Sequence, residues 1–202
     1  MALSRTISHG TEGGTYVTDM VGPAERTDAQ VVRDVLAGDR DAYRLLVRRY
    51  GDVLYGHALR MVGSQDEAAD LVQRALVKGY RKLASCRDPE RVGAWLFRIL
   101  SNLTKDHLRS RRRLDVSLDR LPEIPQRGGD PLEAVHRSEV RGRLQLAMGQ
   151  LTPEQREAFM LKHVEGRSYE DMAAVLDTSV ASLKMRVHRA REVLRDLLED
   201  FR

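Results

Sequence analysis

Residues 168–194 read SYEDMAAVLDTSVASLKMRVHRAREVL, two short helical patterns parted by Asp177 and Thr178. Ser168 stands where an N-cap belongs, Asp171 follows at capping-box spacing, and Met172, Ala173 and Leu176 repeat along one face. Ser179 then opens a second helix in which Leu183, Val187, Ala190 and Leu194 recur at steps of three and four, so that side faces a core. Ser182, Lys184, Met185, Arg186, His188 and Arg189 are left pointing outward. A helix-turn-helix sets the early residues of its second helix against base edges in the major groove and uses flanking cations on phosphates. An ordinary amphipathic hairpin with a solvated basic face has the same pattern, so the choice rests on the remaining chain.

Of the 202 residues, 42% are hydrophobic, 32% charged and 5% aromatic, a composition that suits small, highly charged helical domains. The formal net charge of +4 matters through its placement. Lys105, Arg109, Arg111, Arg112 and Arg113 cluster against the lone acid Asp106, and Lys184, Arg186, Arg189, Arg191 and Arg195 cluster against Glu192. Two separated basic segments predict two contacts with one polyanion, because phosphate neutralisation dominates nucleic-acid affinity. Neither is paired with the bulky apolar face of a membrane-surface helix. No apolar run approaches the roughly 20 residues of a membrane span. The N-terminus lacks a secretory pattern, and a cytoplasmic protein without membrane insertion is expected. The single cysteine, Cys86, excludes an internal disulfide and reads as a small loop or helix-end residue rather than a redox sensor. His9, His57, His107, His136, His163 and His188 show no ligand-like spacing, so no metal site and no cofactor are expected. Paired carboxylates, a nucleophile triad and a glycine-rich phosphate loop are not evident either, which argues against an enzyme.

Along the chain, residues 1–26 are rich in glycine and polar residues and read as a disordered tail. Helical patterns follow over Asp28 to Ala37 and over Asp41 to Val62, the latter stopped by Gly63. Ser64 and Glu67 form a capping box for a third helix running to about Ala84. Asp88 and Pro89 take the N-cap and first position of a fourth, which carries Trp95, Leu96, Ile99, Leu100 and Leu103 into the arginine cluster. Pro122, Pro125, Gly128, Gly129 and Pro131 forbid a long helix over residues 114–132, where acids outnumber bases. The second domain opens near Pro131, passes Leu144 and Leu146, and restarts at the capping box Thr152-Pro153-Glu154-Gln155. Gly166 ends that helix. The expected architecture is all-α: a first domain over 27–113, an acidic flexible linker over 114–132, and a second domain over 133–202 that contains the helix-turn-helix.

Over about residues 28–200 the chain resembles the RNA polymerase sigma factors of the extracytoplasmic-function group. Three blocks carry the likeness: Asp70-Leu71-Val72-Gln73; Ala94-Trp95-Leu96-Phe97-Arg98-Ile99 followed by Asn102, Asp106 and the arginines; and Glu165 to Ala173 followed by Leu183 to Arg191. The resemblance implies an initiation factor that binds core RNA polymerase and promoter DNA and catalyses nothing itself, with an anti-sigma protein as a further partner. It places the polymerase contact at Asp70, Leu71, Gln73, Arg74 and Leu76. It assigns melting of the downstream promoter element to Trp95, Arg98, Asn102, Lys105, Arg109, Arg111, Arg112 and Arg113, with the loop from Ala84 to Arg91 helping to receive a flipped base. Unstacked bases require such a pocket and a cationic groove. Trp95, the only tryptophan, lies amid apolar neighbours and also reads as a core residue. Lys184, Met185, Arg186, His188 and Arg189 align with the reader of the upstream element. Lysine and arginine suit guanine acceptors or phosphates, and Met185 and His188 suit apolar or mixed base-edge contacts. The acidic linker fits a segment that, in the family, threads the polymerase channel.

Three departures stand out. Arg74 and Leu76 replace an acid and a large aromatic, Ala181-Ser182-Leu183 replaces Gly-Thr-Val, and Met185 replaces a serine. Two rival readings share many of these features. One is a stand-alone helix-turn-helix regulator, which has no use for the Asp70 block. The other is a sigma-mimicking decoy that binds an anti-sigma protein, which has no use for Lys184, His188 and Arg189.

Overall fold

The computed structural model describes residues 26–113 and 146–199, so the proposed tail and linker lie outside the described residues. Within them the secondary structure is helical: α1 (Asp28–Leu36), α2 (Tyr43–Val62), α3 (Gln65–Arg81), α4 (Val92–Arg113), α5 (Pro153–Phe159), α6 (Tyr169–Leu176) and α7 (Val180–Glu199), with residues 146–150 also helical.

Local chemistry sets most boundaries. Thr27 and Gln30 exchange side-chain and backbone hydrogen bonds at the start of α1, and Thr152 and Gln155 do the same at α5. Gly63 stops α2 in the left-handed region at φ 80°. α2 begins two residues later than its periodicity predicts, because the Asp39 carboxylate caps a 3-10 turn over Arg40–Ala42 first. α3 ends at Arg81, not near Ala84, and a further 3-10 turn over Leu83–Ser85 buries Leu83. Asp88 likewise caps a short turn over Pro89–Arg91, and α4 starts at Val92. The Ser64 box is only half formed. Ser64 Oγ accepts from the Glu67 N–H, while the Glu67 carboxylate turns to Arg111 at 2.9 Å and His107 at 3.5 Å.

Leu46, Leu54 and Met61 of α2, Leu71 and Ala75 of α3, and Leu96 and Leu100 of α4 form the heart of the first half. That buried cluster runs on into the second half through Ala158, Leu161, Met172, Leu183 and Val187. A smaller cluster of Ala147, Leu151, Ala190 and Leu194 holds residues 146–151 against α7. Met160–Val164 forms a π-helical turn after α5. Cys86 is buried behind the Leu83–Ser85 turn, where burial pushes its thiol pKa up.

α3 and α4 touch at Gly79. A Cβ there would stand 2.5 Å from Leu96 Cδ2 and 2.9 Å from the Tyr43 hydroxyl. Leu96 is fully buried, and Tyr43 is fixed by a 2.8 Å hydrogen bond to the Leu76 carbonyl, so neither has room to retreat. Gly79→Ala therefore lowers stability by about 1–3 kcal/mol through overpacking, despite the roughly 1 kcal/mol that alanine gains in helix propensity. Urea denaturation of the two chains checks this.

Candidate nucleic-acid interface

α6 and α7 form the expected helix-turn-helix. Ser168 Oγ accepts from the Asp171 N–H at 3.0 Å. Asp177 closes α6 in the left-handed region at φ 55°, a conformation that a short polar side chain tolerates. Ser179 Oγ then accepts from the Ser182 N–H at 3.1 Å, one turn into the second helix. Met172 of α6 and Leu183 of α7 are fully buried, and Val187, Ala190 and Leu194 continue the buried stripe. Lys184, Met185, His188 and Arg189 are all exposed on the opposite side, and Arg186 is half-buried. Met185 is 52% exposed, unusual for a long apolar side chain and suited to an apolar contact in a groove. His188 Nδ1 stands 3.3 Å from Glu192.

α4 carries Arg98, Asn102, Lys105 and Arg109 along one stripe, and carboxylates of the second half pair with Arg98, Lys105 and Arg109. Arg98 pairs with Asp177, and Arg109 pairs with Glu154 and Asp106. Lys105 Nζ lies 3.2 Å from the Glu157 carboxylate, and Arg112 donates to the carbonyls of Gly149 and Gln150. Arg111 is held by Glu67 within the first half. Asn102 and Arg113 are exposed. Trp95 is half-buried and packs against the core beside Gly79, so the core reading describes most of its surface.

The Asp70 block lies on α3. Asp70, Gln73 and Arg74 are exposed, and Arg74 reaches back to Asp70 at 3.3 Å. Leu71 is 1% exposed, which corrects its place among the contact residues: it faces the core and offers no surface to a partner. Leu76 and Gln73 line a shallow apolar groove of about 630 Å³ between α2 and α3, with Val47, Val72, Val77 and Tyr80 along its walls. Val47, Val77 and Tyr80 are exposed large hydrophobic residues.

Residues 46–114 match Sigma-70 region 2, and residues 141–194 match Sigma-70, region 4. The ECF RNA polymerase sigma factor SigE of Mycolicibacterium smegmatis is 34% identical over 188 residues, covering 90% of this chain and 72% of its own length. The RNA polymerase sigma-H factor of Pseudomonas aeruginosa is 34% identical over 184 residues, 87% of this chain and 95% of that protein. The chain belongs to the ECF RNA polymerase sigma factors. It binds core RNA polymerase and directs promoter-specific initiation, and sigma factors are non-enzymatic. Two solved structures are similar: CnrH in complex with the cytosolic domain of CnrY (TM-score 0.57, 28% identity, 86% of this chain and 97% of that one), and the sigma factor RpoE in complex with the anti-sigma factor NepR from Bartonella quintana (TM-score 0.54, 30% identity, 79% and 98%). No helix among the described residues is long and apolar enough to cross a membrane.

In this sigma factor the two regions meet through a cluster of charges around His57 and Glu157. His57 of α2, fully buried, stands 3.0 Å from Glu165 by Nδ1 and 3.7 Å from Glu157 by Nε2, the latter an ion-pair distance beyond hydrogen-bond reach. Glu165 also accepts from Arg60 at 2.8 Å and Arg167 at 3.1 Å. Arg156 donates to the Met61 carbonyl at the end of α2 and to the Met148 carbonyl, and burial lowers its pKa to about 10, helped by Arg112 and Arg111. Burial opposes charge on His57, but the two carboxylates outweigh it and hold the pKa above its ordinary value. Burial would raise Glu157 too, and His57 and Lys105 instead bring it below the usual carboxylate range. One clue was available: His57 falls three residues after Leu54 and four before Met61, in the apolar register of α2.

Glu165 is the clearest case for pH dependence. Burial raises its pKa, but hydrogen bonds and charge from His57 and Arg60 pull it down to about 2. A depressed carboxylate adds stability that is complete above its unfolded value near pH 4.3 and is lost as pH falls towards 2. An acid titration followed by circular dichroism should show this loss, flattened in Glu165→Gln.

Proposed function

We propose that the two regions of this sigma factor divide promoter recognition between α4 and the exposed face of α7, and that the α2–α3 groove receives core polymerase. The observation that carries this reading is the sorting of α7: Lys184, Met185, His188 and Arg189 lie outside, while Leu183, Val187, Ala190 and Leu194 lie inside. On such a helix the exposed early residues meet base edges of the upstream element. Arg186 and Arg191 contribute phosphate contacts or surface charge. Asn102, Arg98, Lys105, Arg109 and the arginines 111–113 serve the downstream element, Asn102 with the base and the cations with the backbone. Asp70, Gln73, Arg74 and Leu76 border the polymerase contact, supported by the exposed apolar residues of the groove. Residues 27–113 and 133–202 are the two working domains.

The protein works in the cytoplasm, catalyses nothing itself, and takes an anti-sigma protein as a partner. Two similar structures, CnrH in complex with the cytosolic domain of CnrY and RpoE in complex with the anti-sigma factor NepR, support that last point.

Run-off transcription with core polymerase on a randomised promoter pool tests the whole reading: it should enrich a two-part promoter element. Alanine at Lys184 or Arg189 should cost about 1–3 kcal/mol on the enriched promoter and relax its upstream sequence. Asn102→Ala should reduce open-complex formation with little change in stability. Transcription that ignores these substitutions would favour a decoy.

A further inference from the structure

We infer that the packed arrangement is a self-masked state of the sigma factor, in which acids of the second region occupy the promoter-facing cations of α4 and His57, between Glu157 and Glu165, latches the two halves together. The inference rests on the assignment of α4 to promoter DNA. Of the α4 residues placed there, Arg98, Lys105 and Arg109 each have a carboxylate of the second half as partner, from Asp177, Glu157 and Glu154 respectively. Arg112 is engaged by two carbonyls of the same half. A carboxylate presents an arginine or lysine with the same anionic oxygens as a phosphate. A phosphate therefore competes with these carboxylates for the same cations.

The seam combines the shared apolar core with buried polar atoms that lack partners. Phe97, Ser101 and Thr104 lie along one stripe of α4, and Ser101 Oγ, Thr104 Oγ1, Arg98 Nε and His57 Nε2 are buried without a hydrogen-bond partner among the described residues. Permanent cores satisfy such atoms. Water or nucleic acid would satisfy them here once the halves part.

His57 couples this seam to pH. Facing it are Arg60 from its own helix, Glu157 from α5, Glu165 and Arg167 from the turn before α6, and from α4 the Phe97 ring at 4.5 Å with Lys105 behind Glu157. Both carboxylates come from the second half, so opening removes them and returns His57 to an ordinary imidazole. The closed state therefore binds the proton more tightly than the open one. Its extra stability is complete below the ordinary histidine value near pH 6.5 and is lost as pH rises through the higher closed-state value.

Two measurements on the full chain test this. Small-angle scattering between pH 6 and pH 9 should show expansion with rising pH, at lower pH in Glu165→Gln, and no pH response in His57→Gln. If His57→Gln does not fold, the direction of the Glu165→Gln shift decides. Constant dimensions in the native chain, or an expansion that persists in folded His57→Gln, overturn the latch. In the second measurement, a fluorescent single-stranded DNA of mixed sequence is bound at 0.1 M salt by Glu154→Gln/Asp177→Asn and by Asp41→Asn/Asp196→Asn, which makes the same charge change away from α4. The first variant should bind at least about 5-fold tighter than the second, the lower end of a usual coupling between states. Equal affinity while Asn102→Ala still impairs transcription overturns the masking and leaves the assignment of α4 standing. Equal affinity with transcription indifferent to Asn102→Ala overturns both.

Discussion

Glu157 is a carboxylate with 1% exposure, and the junction of the two regions is organised around keeping it charged. It lies between Lys105 of α4 and His57 of α2, so one side chain on α5 engages two helices of the first region. Removing one partner of such a buried pair typically costs about 3–5 kcal/mol, because the other charge is left without compensation. Apolar residues of similar volume often do as well or better for stability alone. What the ionic cluster adds is direction. His57, Lys105 and Glu157 meet in only one arrangement of the regions, and Arg156, reaching the Met61 carbonyl, fixes the same arrangement a turn away.

A junction held by charges exchanges partners more readily than one held by packing alone. The shared apolar core runs through this point by way of Ala158, Leu161, Met172, Leu183 and Val187, and the contacts flanking it are guanidinium, ammonium and carboxylate groups that water also solvates. In the proposed masking, Lys105 and Arg109 exchange a carboxylate of the second half for a phosphate of the promoter backbone. The exposed face of α7 and the α2–α3 groove lie outside this seam. Lys184, Met185, His188 and Arg189 remain exposed while the regions are packed, and so do Val47, Val77 and Tyr80. The exposed face of α7 and the groove are therefore accessible while Arg98, Lys105 and Arg109 of α4 are paired with carboxylates of the second half.

Much of this was legible in the chain itself. Thr152 with Gln155, Ser168 with Asp171, Gly63 and Ser179 mark helix ends by local hydrogen-bonding chemistry, and those ends fall where the residues put them. Periodicity alone was less reliable at termini. It ran α3 on to Ala84 because Leu83 keeps the apolar register, yet Leu83 is buried from a 3-10 turn. It placed Glu67 in a reciprocal cap, whereas the carboxylate found Arg111, forty-four residues away, a partner that no local pattern names. Leu71 shows the limit of motif reading: it belongs to a contact block by position, and to the core by the face of α3 on which it sits.

By itself, the sequence determined the helices, the turn that makes α6 and α7 a helix-turn-helix, and the two basic clusters. Each of these depends on residues within a few positions of one another. Only the tertiary structure decided which cations are open to DNA and which are already paired, because Arg98 meets Asp177 and His57 meets Glu165 across 79 and 108 residues. Ion pairs have no sequence period. Glu157 looks like a surface residue in a charged chain until folding brings it beside His57 and Lys105.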